Sequence, residues 1–173
     1  MNAAADTPEQ YSMRKTTCDL CDEHESLVQV AELEFRSYGG ATRCCGRIET
    51  IQCHEDNSRV RDCVDTDGRG KVLVIDGGGS LRRSLLGDQL AEKATSNGWA
   101  GILVYGAVRD LDALAGLAIG IFALGHVPLR TAKKGIGEWG KVLRFAGVTF
   151  APGAHLYADL NGIVVSPQAL EGF

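Results

Sequence analysis

Three stretches of the chain are apolar almost without interruption, and helically spaced segments separate them. Lys71–Ile75 (KVLVI), Gly101–Tyr105 (GILVY) and the region Ile119–Leu124 read as strands buried on both faces. Between the first two, Leu86, Leu90 and Ala94 recur at helical spacing until Asn97-Gly98 stops them. Between the second and third, Leu111, Leu114 and Ala115 mark a shorter helix. The pattern is β-loop-α-β-loop-α-β, which predicts parallel strands joined by helical crossovers.

The flanks are plainer. Residues 1–14 are polar and predict a disordered tail, followed by a helix from about Thr17 capped by Thr16 or Thr17. Val28–Val30 and Leu33–Phe35 fit a strand or a helix equally well. Gly39-Gly40 and Gly46 are read as turns around a strand carrying Ile48, Ile51 and Cys53. Residues 55–67 hold five acids with Val60 and Val64 at i, i+4, a solvated helix with one apolar stripe. From Val142 to Val165, short apolar segments alternate with turns at Pro152-Gly153 and Asn161-Gly162, which predicts antiparallel strands. The domain is expected over residues 15–168, with a C-terminal tail at 169–173.

Composition fits one globular domain: 173 residues, 45% hydrophobic, 23% charged. Glycine is in excess, 22 against 4 prolines, where average usage gives about 12 and about 9. Many glycines with few prolines point to close backbone approaches between regular elements. A net charge of −4 removes the electrostatic footprint of a general nucleic-acid binder. No apolar run reaches the ~18–20 residues of a membrane span, and residues 1–14 lack an apolar signal core. A cytoplasmic protein is the expectation. The six cysteines lie between Cys18 and Cys63. Cys18 and Cys21 form one C-x-x-C pair, but the adjacent Cys44 and Cys45 make a poor second zinc knuckle, so free thiols are expected.

Three segments can carry chemistry. Gly77-Gly78-Gly79 follows a strand, yet Arg82 occupies the third glycine position of a dinucleotide fingerprint and no G-K-[ST] follows. It reads as a sharp turn, compatible with a loop that lines a ligand crevice. Gly87-Asp88-Gln89-Leu90 starts the first crossover helix, where the N–H groups of Gln89 and Leu90 suit a carboxylate or phosphate. The plainer alternative is Asp88 as an N-cap. Arg109-Asp110 follows the next parallel strand, at the end where open α/β sheets bind ligands. Arg109 offers a bidentate fork for a carboxylate or enolate oxygen, and Asp110 a hard oxygen for Mg²⁺ or Mn²⁺. The alternative for Arg109 is a surface ion pair.

VLVIDGGGSLRRSLLGDQLA, GWAGILVYGAVRD and FAGVTFAPGAHLYADLNGI resemble the family that contains the regulator of ribonuclease activity A and the 4-hydroxy-4-methyl-2-oxoglutarate aldolases. The resemblance runs from Thr17 to Val165. It implies an α/β fold, a single-domain αββα-type sandwich with a mixed β core related to swivelling β/β/α domains, assembled as a homotrimer. The family's enzymes carry an Asp, twenty residues, then Arg-Asp. Asp88 followed by Arg109-Asp110 keeps that spacing. The resemblance implies a pyruvoyl group on Arg109, a divalent cation, Mg²⁺ or Mn²⁺, on Asp110, and the substrate carboxylate at the helix start Gly87–Leu90. It further implies retro-aldol cleavage to pyruvate, oxaloacetate decarboxylation as a side activity, and a base formed by a water held on Asp88. The family's regulators typically lack the Asp after the Arg, and this chain has it. Ala113 stands where many of the aldolases carry an acid, with Asp112 one residue early. The other function the resemblance implies is non-catalytic: binding and inhibiting a ribonuclease E-type enzyme, which an acidic surface would suit.

Overall fold

The structure, a computed structural model, describes residues 14–173. All but the last residue of the expected N-terminal tail therefore lies outside the described residues. Helix α1 spans Thr17–His24 and begins at a capping box. The Thr16 hydroxyl accepts the Asp19 N–H at 3.3 Å, and the Asp19 carboxylate accepts the Thr16 N–H at 2.7 Å. Val28–Val30 ends in a short edge strand, β1 (Gln29–Val30), whereas Leu33–Phe35 forms neither helix nor strand and is followed by β2 (Arg36–Ser37). Next comes β3 (Cys44–Gln52). Gly46 lies inside this strand, not in a turn. A Cβ there would meet the Gly70 carbonyl oxygen at 2.9 Å, so glycine permits the neighbouring chain to pass.

Helix α2 covers only Ser58–Val64, shorter than the acidic stretch suggested. Glu55 is left-handed (φ 54°), and the Asp56 carboxylate takes the Ser58 N–H, so the helix cannot start earlier. Then follow β4 (Lys71–Asp76), β5 (Ser84–Leu86), α3 (Asp88–Ser96), β6 (Gly101–Val108), α4 (Leu111–Ala115) and β7 (Gly120–His126). Leu86, expected in the crossover helix, ends β5, because Leu85 and Leu86 are buried alongside β6. The C-terminal part supplies β8 (Glu138–Trp139), β9 (Leu143–Phe145), β10 (Val148–Phe150), β11 (His155–Asp159) and β12 (Gly162–Ser166).

The main sheet has ten strands, with the path β1-β12-β11-β3-β4-β6-β7-β2; β5 pairs with β6 and β8 with β3. Pairing is parallel from β3 through β4 and β6 to β7, and antiparallel at β11–β3 and β2–β7. Alternate residues of the central strands feed different cores. Leu73, Ile75, Ile102 and Val104 meet Val60, Ala91, Ala94 and Leu114 of the helices. Val72, Val74 and Leu103 meet Leu143, Phe145, Val148 and Phe150 of the β9–β10 hairpin. The layers are thus helices, large sheet and small sheet, the β/β/α order. The mixed single-domain fold of the sequence reading is the observed one.

The last residues fold back onto the body. Phe173 lies against Tyr157 with the Arg43 guanidinium 4.2 Å above its ring, and the Lys15 N–H reaches the Gly172 carbonyl at 2.8 Å. Cys44, Cys53 and Cys63 are buried in the cores, and Cys18 is exposed on α1.

Candidate active site

The carboxyl ends of parallel strands are where this topology leaves backbone groups uncovered. β6 ends at Val108, and the chain turns through Arg109 and Asp110 into α4. The Arg109 N–H binds the Leu86 carbonyl at 3.0 Å, which ties this turn to the end of β5. Asp110 adopts φ 58°, ψ 46°, a left-handed conformation that Asp tolerates better than most side chains. That backbone aims its carboxylate at the start of α3. Asp110 Oδ2 accepts the Asp88 N–H at 3.2 Å and lies 3.5 Å from Arg109 Nε.

Gly87, not Asp88, is the N-cap of α3, so the plain-cap reading of Asp88 is corrected. The reason is steric. A Cβ on residue 87 would fall 2.5 Å from Asp110 Oδ2 and 3.2 Å from the Arg109 side chain. Asp88 is the first helical residue, and its Oδ1 takes the Gln89 N–H at 2.7 Å. The expectation that the Gln89 N–H is free is therefore also corrected: helix-start donors are already shared between Asp88 and Asp110, as the positive end of a helix favours.

Gly87, Asp88, Gln89, Leu90 and Arg109 line one pocket of about 210 Å³. Asp110 joins them through its carboxylate, so the structure brings all six candidate residues together. The Gly77–Gly79 loop goes elsewhere. Gly77 packs on the Tyr105 carbonyl and Leu85, and Gly78 on His54, so the loop makes a tight turn away from this pocket.

Six further residues complete the pocket wall: Asn57, Arg61, Ser84, Arg130, Thr131 and Lys133. Sequence reasoning missed them. Four side chains of the pocket are cationic (Arg61, Arg109, Arg130, Lys133) against one carboxylate, Asp88, in a chain of net charge −4. A signal was present: the basic run Arg130 to Lys134 is separated from the end of β7 by only three residues. Arg61 was hidden in a stretch that looked acidic and solvated.

A family model described as RraA-like, Aldolase/RraA, matches residues 17–165. The chain belongs to the RraA-like family. A relative from Ectopseudomonas mendocina (strain ymp), provisionally named as a 4-hydroxy-4-methyl-2-oxoglutarate aldolase, is 58% identical over 158 residues, 91% of this chain and 98% of the relative. The RNA-processing inhibitor RraA from Thermus thermophilis superposes with a TM-score of 0.89 at 42% identity, covering 92% of this chain and 97% of that one. A Geobacillus kaustophilus HTA426 structure described as an S-adenosylmethionine:2-dimethylmenaquinone methyltransferase also gives 0.89, at 44% identity over 90% of this chain and 97% of that one. The three names disagree on function, so the choice among them rests on the chemistry of the pocket.

The donor set bears on the metal. Among the described residues no group of three or more His, Cys, Asp and Glu is placed to hold an ion. A fully protein-caged metal does not fit here. Mg²⁺ or Mn²⁺ does, because such ions keep several waters and need only one or two carboxylates. Asp110 is a carboxylate partly open to solvent beside the pocket residues.

Proposed function

We propose that this pocket is the active site of a divalent-metal-dependent lyase. It cleaves 4-hydroxy-4-methyl-2-oxoglutarate into two molecules of pyruvate and decarboxylates oxaloacetate as a side activity. The observation that carries the reading is the convergence of Gly87–Leu90 and Arg109 on one small cationic pocket, with the Asp110 carboxylate on the Asp88 N–H beside it. A pocket of about 210 Å³ suits a small acid better than a drug-sized ligand, whose sites run to about 300–1,000 Å³. Its charge suits a substrate with two carboxylates.

The roles follow from position. The start of α3 receives the carboxylate next to the 2-oxo group, with the Leu90 N–H and the helix dipole favouring the negative charge. Arg109 donates to the 2-oxo oxygen, where negative charge grows as the C3–C4 bond breaks. Asp88 holds the water that removes the proton of the 4-hydroxyl. The electron pair released on C3 becomes an enolate, which regains a proton to give the first pyruvate; C4 becomes the carbonyl of the second. In oxaloacetate the same C3 pair is left when CO₂ departs. A divalent cation on Asp110, Mg²⁺ or Mn²⁺, supplies Lewis-acid polarisation of the 2-oxo oxygen when bound. The reading includes a cytoplasmic homotrimer, with the exposed apolar side chains Leu81, Leu129 and Ile136 as uncovered surface for a neighbouring copy.

The test is release of pyruvate from both acids by the purified protein with Mg²⁺ and with EDTA. Release above the metal-only rate, lost in EDTA, supports the reading. A rate equal to that of the metal alone refutes it.

The similarity to the Thermus RNA-processing inhibitor favours a second reading, a protein that binds a ribonuclease E-type enzyme. It needs no chemistry at Arg109 or Asp110. Binding to such a ribonuclease that survives Arg109→Ala and Asp110→Ala, with no pyruvate release, would favour it.

A further inference from the structure

Part of the basic wall of the pocket comes from a segment without regular structure. Residues 131–137, between β7 and β8, form neither helix nor strand, yet Thr131 and Lys133 line the pocket beside Arg130. Long side chains on an irregular segment lose selectivity unless something fixes their backbone.

The turn before α2 fixes it. Asp56 is 1% exposed. Its Oδ2 accepts the Lys134 N–H at 2.5 Å, and its Oδ1 accepts the Ser58 N–H at 2.8 Å. Ser58 Oγ accepts the Gly135 N–H at 3.0 Å. Asn57 Oδ1 accepts the Thr131 hydroxyl at 2.8 Å. Three consecutive side chains thus hold the segment at Thr131, Lys134 and Gly135. A buried carboxylate is costly unless it is hydrogen-bonded, and this one spends its bonds on the backbone that carries Lys133. Burial pushes the Asp56 carboxyl up, but bonds from Ser58, Lys134 and Ile136 outweigh that and hold it below the ordinary carboxylate range. The anchor is therefore ionised at neutral pH.

We propose that Asp56 is a positioning residue for substrate selectivity: it holds Lys133 at the pocket wall beside Arg130, where the two cations favour a 2-oxo acid with a second carboxylate over one with a single carboxylate. This rests on the 2-oxo acid reading of the pocket. Asp56 touches no ligand and acts through the segment it anchors.

The experiment is calorimetric titration of the full chain, with Mg²⁺ present, by 2-oxoglutarate and by pyruvate. Asp56→Asn keeps one acceptor but turns an amide NH₂ toward a backbone N–H. The expected result is a loss of about tenfold or more in 2-oxoglutarate affinity, with pyruvate affinity changed by less than about twofold. A mere loss of stability would not divide the two ligands. Ser58→Ala, a milder variant for the case that Asp56→Asn does not fold, should show the same division at about threefold. Asp62→Asn, on the exposed side of α2, should change neither. Equal loss on both ligands, or no loss on either, in a folded variant overturns the proposal while the lyase reading stands. Failure of the wild-type protein to bind either acid overturns both, and the pyruvate-release assay then fails as well.

Discussion

The Asp110 carboxylate lies 3.2 Å from the backbone nitrogen of Asp88, twenty-two positions earlier in the chain. This contact joins the ends of two crossover connections. Asp88 belongs to the helix after β5, and Asp110 to the turn after β6. One carboxylate therefore shares a corner with a helix N-terminus and a guanidinium, an arrangement that neither crossover makes alone.

Gly87→Ala should destroy that corner with little effect on the fold. Its methyl would sit 2.5 Å from Asp110 Oδ2 and 3.2 Å from the Arg109 side chain. Residue 87 is extended (φ −134°), so alanine meets no backbone strain. Pyruvate release should fall about 100-fold, as expected when reacting groups move by about 1 Å. Stability should fall by no more than about 1 kcal/mol, the scale of an N-cap change. Steady-state kinetics beside a thermal melt check both halves.

Arg109→Lys keeps a positive charge but loses the planar fork. If the fork stabilises the developing enolate, kcat should fall by about 10²–10³, the scale for one lost oxyanion donor, while the fold is kept. A change confined to KM would assign Arg109 to ground-state binding instead.

Acid stability should depend on Asp159. Its carboxylate is buried and accepts the Thr17 N–H at 2.8 Å, the Thr17 hydroxyl at 2.7 Å and the Asn161 N–H at 2.8 Å. Burial pushes its carboxyl up, but these bonds outweigh it and hold it below the ordinary range. A carboxyl lowered on folding contributes stability that is full above its unfolded value of about 3.9 and is lost as pH falls through the folded value. Asp159→Asn should cost about 1–3 kcal/mol at pH 7. The gap from wild type should close below about pH 3.9, as followed by urea unfolding at a series of pH values.

Thiol reactivity should divide the cysteines by depth. Burial pushes the Cys44, Cys53 and Cys63 thiols up to about 12, so they stay protonated at pH 8. An aromatic disulfide reagent should label Cys18 readily in the native protein and reach those three only after unfolding. Fast native labelling of Cys53 or Cys63, read by peptide mass spectrometry, would contradict the core as described.

The parallel unit was legible because KVLVI and GILVY are too apolar to be anything but central strands. The corner was legible because glycine, a helix start and Arg-Asp fall at strand ends. Less was visible where tertiary packing overrides a local pattern. Gly46 looked like a turn, since nothing local reveals that another backbone passes against it. Leu86 kept helical spacing but is buried as a strand beside β6. The basic wall stayed hidden because Lys133 sits on an irregular segment whose place is set by Asp56 and Asn57, some seventy-five residues earlier, while Arg130 is placed by a bridge to Ser84 of β5. Such contacts leave no period in the sequence.

The most direct measurement is the rate of pyruvate formation from 4-hydroxy-4-methyl-2-oxoglutarate at saturating Mg²⁺ by wild-type protein and by Asp110→Asn. A wild-type rate well above the metal-only background, with a loss of at least about 100-fold in a variant that melts like wild type, is the predicted result. Equal rates in the two proteins would contradict a lyase site at the Asp88, Arg109 and Asp110 corner.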